Sequence, residues 1–297
     1  MSRHPAFGLL LAAFGTLVLT PDAMLMRLSG MGGFQMAGWR GLFMGSAMVL
    51  AWVLTSRNRK GDLAALRSRA GLALAGCQLF NSLLFCLGIA LAPAAVVLFG
   101  VAAVPVFAAL LSWLILGEAT RPATWVTIAA VLSGIGIAVL GGEGEGLALD
   151  ARALAGALFG LGVALVLALN FVVLRARPDL PILLVIGCGA WAAGLLGVTL
   201  TGWEAMQNGH IWAMAVTGGI VLPVSFFALS LASRHTPAAN VSLLMLLETV
   251  LGPLWVWWGV GERPSAMMAL GGAVVVVSLA IYLLATGRRG RGVAKGA

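Results

Sequence analysis

Charge is what this sequence has least of. Asp, Glu, Lys and Arg together make up 9% of its 297 residues, against about 25% in a soluble domain, so a water-soluble globule would have too little polar surface. Lysine is reduced to Lys60 and Lys295, and no G-x-x-x-x-G-K-[ST] loop exists, which excludes ATP hydrolysis by a phosphate-cradling loop. His4, His210 and His235 all fall at the ends of apolar runs, and G-x-S-x-G is missing, so a metalloprotease or serine hydrolase within the membrane lacks its parts. Cys77, Cys86 and Cys188 stand singly among apolar residues, with neither metal nor disulfide spacing, and read as small packing residues. No enzyme activity, cofactor or metal is expected.

Apolar residues fill the space: 61% of the chain, with a mean hydropathy of +1.04. Ten segments approach the ~20 residues needed to cross a bilayer core: 6–28, 33–55, 70–91, 93–116, 121–141, 153–174, 180–201, 212–233, 237–260 and 265–286. Backbone groups in hydrocarbon must bond within their own segment, so each is expected to be a helix. The apolar start is too long for a signal peptide and has no small-residue cleavage site, so it counts as span one. The net charge of +8 is a matter of placement. Fourteen Lys and Arg fall on the side shared by both termini and three (Arg27, Arg152, Arg263) on the other, with Arg40 inside a span. Cationic loops stay cytoplasmic, so both termini are expected inside, in the inner (plasma) membrane. The basic surplus is a topology signal rather than a nucleic-acid footprint, and the partner it implies is the lipid bilayer.

The chain also repeats itself. Pro93–Glu118 slides onto Pro237–Glu262 without a gap, with nine identities that include a shared Pro-Ala-Ala start and a shared Gly-Glu stop. At the same shift Asn81 falls on Ser225. At a slightly longer shift Gly8, Leu19 and Arg27 fall on Gly156, Leu167 and Arg175, and Asp22 meets Asn170. A period of nearly half the chain means a duplicated half-molecule. The halves are 1–145 and 146–297, divided at the acidic, Gly-rich stretch 141–150. Five spans per half force opposite orientations, so the expected fold is an all-α polytopic membrane protein, ten transmembrane helices in two inverted five-helix repeats. Inverted repeats are the usual architecture of secondary transporters, with the site near the midplane.

Ionisable groups at membrane depth cost about 2.5–3.5 kcal/mol each on insertion scales, so the few present are candidates. At 1.5 Å per residue, Glu248, Arg40 and Asp22 sit roughly 16, 20 and 24 Å from the inner edge. They form either a charge network that changes during a transport cycle or a static pair that tethers helices. Gln78, Asn81, Ser82 and Ser225 supply uncharged polar groups at mid-depth, and Asn170 lies nearer the inner end of its span. Phe99, Trp191, Phe226 and Met245 are expected apolar walls of a substrate cavity, with Trp39 and Phe80 as further candidates. Pro21, Pro105, Pro223 and Pro253 interrupt spans one, four, eight and nine and are candidate hinges. Trp203, Trp212, Trp255, Trp257 and Trp258 are expected as interfacial anchors.

PVFAALLSWLILGE (105–118), LLETVLGPLWVWWGVGE (246–262) and GWRGLF (38–43) resemble the motifs of EamA-type members of the drug/metabolite transporter superfamily. The resemblance covers the whole chain, although Glu248 is followed by Thr249 where the family commonly has proline. It implies a secondary transporter of small metabolites, usually exported, with spans one to four and six to nine around a central cavity. Within the superfamily the chain looks most like YddG-like exporters of amino acids, aromatic ones included. Import or exchange of a vitamin, nucleotide-sugar or organic cation is the alternative, and a membrane enzyme or scaffold a distant one. A monomer and a homodimer both fit.

Overall fold

The computed structural model describes residues 5–92, 94–118, 122–140 and 151–261, with isolated positions between 270 and 281. The stretch 141–150, both chain ends and most of the expected span 265–286 lie outside the described residues. Every described element is helical. Span one is α1 (Pro5–Leu19) and α2 (Asp22–Ser29), span two is α3 (Gly33–Thr55), and span three is α5 (Arg69–Leu91), reached through the short α4 (Arg59–Leu66). Span four is α6 (Ala94–Val101) followed by α7 (Val104–Leu116), and span five is α8 (Pro122–Leu140). Spans six and seven are α9 (Ala151–Ala176) and α10 (Ile182–Thr201), and α11 (Trp203–Met206) leads into span eight. Span eight is α12 (Ile211–Val216), a π-helical turn (Thr217–Val221) and α13 (Leu222–His235), and span nine is α14 (Ala238–Val260). Seven of these, spans one, two, three, six, seven, eight and nine, are long and apolar enough to cross a membrane. Large side chains on the outside are apolar, Leu10, Leu54, Phe80 and Trp113 each being more than half exposed, as lipid contact requires.

The helix breaks follow from proline chemistry. Pro21 has no N–H to offer the Leu17 carbonyl; the Thr20 hydroxyl donates to it instead, at 2.9 Å. The indole of Trp255 on α14 then donates to that same hydroxyl at 2.9 Å. Pro105 opens α7 just after the break at Ala102–Ala103, and Pro223 opens α13 just after the π turn. Pro253 departs from expectation: α14 runs through it without interruption. One missing N–H is tolerated in a membrane helix where neighbouring helices supply the remaining constraints.

Small residues set the packing. On α3, Gly38, Gly41 and Gly45 face Gly187, Ala190, Gly194 and Gly197 of α10 at backbone contact, and Gly100 on α6 meets Gly160 on α9 in the same way. Helices that cannot gain from hiding apolar surface in lipid associate by such close approach. Elsewhere α1 packs on α13 and α14, α5 on α9 and α10, and α7 on α9 and α14.

Two opposite faces are tied by polar contacts. On one, Arg27 donates to the Ala92 carbonyl at 2.8 Å, and the His210 amide donates to the Ser29 carbonyl at 2.8 Å. Gln35 bonds the Ala205 and Asn208 carbonyls (2.9 and 2.6 Å), and Trp39 the Met206 carbonyl (2.7 Å), so the loop before α12 is fastened to the start of α3. On the other face Arg175 grips both carboxylate oxygens of Glu118 at about 3.0 Å, and Arg234 donates to the Leu180 carbonyl. The α9 helix connects the two faces, with Gly156 at one end and Arg175 at the other.

Candidate functional site

The Pro21 break points the first turn of α2 inward, and Asp22, its first residue, is fully buried. Opposite it on α3, Arg40 is 3% exposed and donates through Nη2 to Asp22 Oδ2 at 2.5 Å. The guanidinium lies over the Phe85 ring, 5.2 Å from its centroid, and Nη1 reaches Cys86 Sγ at 4.0 Å. The third ionisable group, Glu248 on α14, interacts electrostatically with both Asp22 and Arg40 but has no hydrogen bond or ion pair among the described residues. A half-filled constellation results. Arg40 Nε and Asp22 Oδ1 are buried without partners as well. Leaving buried polar atoms unpaired costs about 1–3 kcal/mol each, more for charged groups.

These three side chains share a small cavity of about 20 Å³ with Asn81, Phe85, Phe226 and Met245. Leu19 and Val101, and Val163 and Leu167 of α9, complete its wall. That volume admits about one water molecule, not a metabolite, so the centre must widen to take a ligand. A larger open cavity, about 520 Å³, lies between α1 and α14. Its walls are Leu17, Leu251, Leu254, Trp255, Trp258 and the already bonded Thr20. With no charged group on its walls, it is a poor receptor for a polar solute, and chemistry favours the small central cavity.

Asn81, Phe226 and Met245, taken from the sequence as substrate-binding, thus stand beside Asp22, Arg40 and Glu248. The others lie elsewhere. Gln78 donates to Ser82 Oγ at 3.2 Å and to Met44 Sδ at 3.6 Å, which places both buried residues on the seam between α5 and α3. Ser225 is buried against Gly15, on the seam of α1 and α13. Trp191 does not reach the cavity: it covers Gly45, is 38% exposed and donates to Ser46 Oγ at 3.1 Å. Phe80 also faces outward, and Trp39 is held by the Met206 carbonyl. The side chain of Phe99 lies outside the described residues.

Phe85 and Cys86 were missed, and helical spacing could have found the first, since Phe85 follows Asn81 by one turn on the same face. Leu19 with Leu167, and Val101 with Met245, were also legible in principle, because each pair falls together when the halves are aligned. Among the described residues no group of His, Cys, Asp and Glu could hold a metal ion.

Comparison with known proteins bears on this arrangement. Residues 6–140 match the EamA-like transporter family. No curated protein matches the chain. A solved crystal structure, 21% identical, superposes with a TM-score of 0.73 over 97% of this chain and 98% of its own, a likeness of fold alone. The match over residues 6–140 is consistent with the drug/metabolite transporter superfamily.

Proposed function

We propose that this protein is a secondary active transporter that exports a small amphiphilic metabolite, in the first place amino acids including aromatic ones. It works by alternating access between two inverted five-helix halves, 1–145 and 146–297, in the inner membrane, with both termini cytoplasmic. The observation that carries this is the central cavity: three ionisable side chains and apolar walls, lined from both halves. Its walls include the repeat mates Leu19 and Leu167, and Val101 and Met245, so each half contributes equivalent positions.

Inverted halves would also produce the packing described above. Gly8 lies under Thr236 on the Arg175 face, while its repeat mate Gly156 lies under Ala92, the mate of Thr236, on the Arg27 face. Exchanging spans one to four with six to nine turns α1 on α13 into α9 on α5, and α1 on α14 into α9 on α7, and each of these contacts exists. The α3–α10 and α7–α14 contacts map onto themselves. Two related units of opposite orientation can trade conformations, which opens the cavity first to one side and then to the other.

Glu248, buried at the centre without a hydrogen bond or ion pair among the described residues, is the group whose state changes in the cycle. Glu248→Gln is expected to abolish most efflux from cells loaded with substrate while expression stays normal; wild-type efflux would remove Glu248 from the mechanism. Cysteines placed at Glu118 and at Gly261 test the halves, since a membrane-impermeant thiol reagent should reach them from opposite sides. Two carboxylates to one guanidinium also suit an organic cation, which is the second candidate substrate. Counterflow into proteoliposomes with cations and amino acids in turn separates the two.

A further inference from the structure

The Asp22–Arg40 pair is incomplete in a way a permanent tether would not be. Arginine and a carboxylate pair most strongly through two parallel bonds, yet only Nη2 and Oδ2 meet here. Arg40 Nε and Asp22 Oδ1 both stay buried and unpartnered at the cavity wall. A buried pair is favourable only when its remaining donors and acceptors are satisfied. Asp22 also sits on a joint: Pro21 precedes it, the backbone bond to Leu17 is replaced by the Thr20 hydroxyl, and α2 is only eight residues long. The carboxylate can therefore be withdrawn by changing the angle between α1 and α2, without unfolding a span.

Resting on the transporter reading above, we propose that Asp22 is a built-in plug: its carboxylate occupies the anion site on Arg40 that a carboxylate of the substrate takes when α2 swings away. In the occluded state Asp22 neutralises the guanidinium. When a substrate carboxylate enters, it takes over Nη2 and adds the idle Nε, giving the two-point contact that Asp22 does not make. Phe85 holds the guanidinium plane from one side, and Phe226, Met245 and Leu19 line the space left for an apolar side chain. Glu248 remains free for an ammonium group on the same substrate. The site is thus specific for carboxylate-bearing solutes, and Asp22 is a competitor rather than a receptor.

The test uses the full-length protein purified in detergent and three probes on one skeleton: phenylalanine, 3-phenylpropanoate and 2-phenylethylamine. Removing a plug that keeps most molecules closed tightens apparent binding by the inverse of the open fraction, so Asp22→Asn should bind both carboxylates at least about tenfold more tightly. Its affinity for 2-phenylethylamine should not rise. Pro21→Ala, which restores a backbone donor at the joint and stiffens it, should weaken both carboxylates relative to wild type. Arg40→Gln should lose them. If Asp22→Asn binds the carboxylates no better than wild type, or binds none of the probes, the inference is overturned. Unchanged carboxylate binding in Pro21→Ala overturns it as well. Counterflow separates the two levels: flux of 2-phenylethylamine alone would sink the plug and leave the transporter standing, whereas no flux of any metabolite would sink the transporter reading itself.

Discussion

At the crossing of α3 and α10 the sign of a one-methyl change can be worked out in advance. A Cβ built on Gly41 falls 2.5 Å from both the Ala190 carbonyl oxygen and the Gly194 nitrogen, and 2.7 Å from Gly194 Cα. Ordinary contact begins at 3.4 Å, so the helices must part by 3.4 − 2.5 = 0.9 Å, and neither neighbour is a side chain that could swing aside. Overpacking of this kind costs typically about 1–3 kcal/mol, while Ala in place of Gly within a helix returns about 1 kcal/mol. Gly41→Ala should therefore lose about 1–2 kcal/mol, because backbone against backbone puts it near the top of the overpacking range. Gly76 on α5 is the control. A Cβ there meets nothing within 4 Å, so Gly76→Ala keeps only the helix term and should gain up to about 1 kcal/mol. Thermal unfolding of both variants and wild type in the same detergent, at one scan rate, should move the midpoints in opposite directions. A Gly41→Ala protein as stable as wild type, or a Gly76→Ala protein equally damaged, would refute the packing argument.

Gln35→Leu removes the side-chain bonds to the Ala205 and Asn208 carbonyls; at about 1 kcal/mol each it should loosen residues 202–210, read as faster limited proteolysis in that loop. Arg175 and Glu118 are partly exposed, at 24% and 40%, so a double-mutant cycle with Arg175→Gln and Glu118→Gln should give a coupling below about 1 kcal/mol that falls further with salt. A coupling of several kcal/mol would mean the pair is buried in the dominant state. Thr20→Val leaves the Trp255 indole without its acceptor; a loss of about 1–3 kcal/mol and altered tryptophan fluorescence are expected.

Seven of the ten expected spans were legible because a bilayer demands length, and length is written in the chain. The breaks at Pro21, Pro105 and Pro223 were legible because a missing N–H has local consequences, whereas α14 continues through Pro253. Facing was harder. A helix that is apolar all round gives no periodic clue to which side is buried, and so Trp191 was expected at the cavity but covers Gly45, while Phe85 went unnoticed beside Arg40. Asp22, Arg40 and Glu248 stood out through the cost of charge in hydrocarbon, but that Asp22 would take Arg40 and leave Glu248 alone depends on how three helices are set against one another, which no residue pattern specifies.

The hydroxyl at Thr20 has a mechanical consequence. Because Pro21 can never donate to the Leu17 carbonyl, the Thr20 hydroxyl stays engaged there at the bend while it accepts from the Trp255 indole of α14. That indole sits about two turns beyond Glu248 on one continuous helix. The bend at Pro21 and the helix that carries Glu248 are therefore joined by a hydrogen bond as well as by packing.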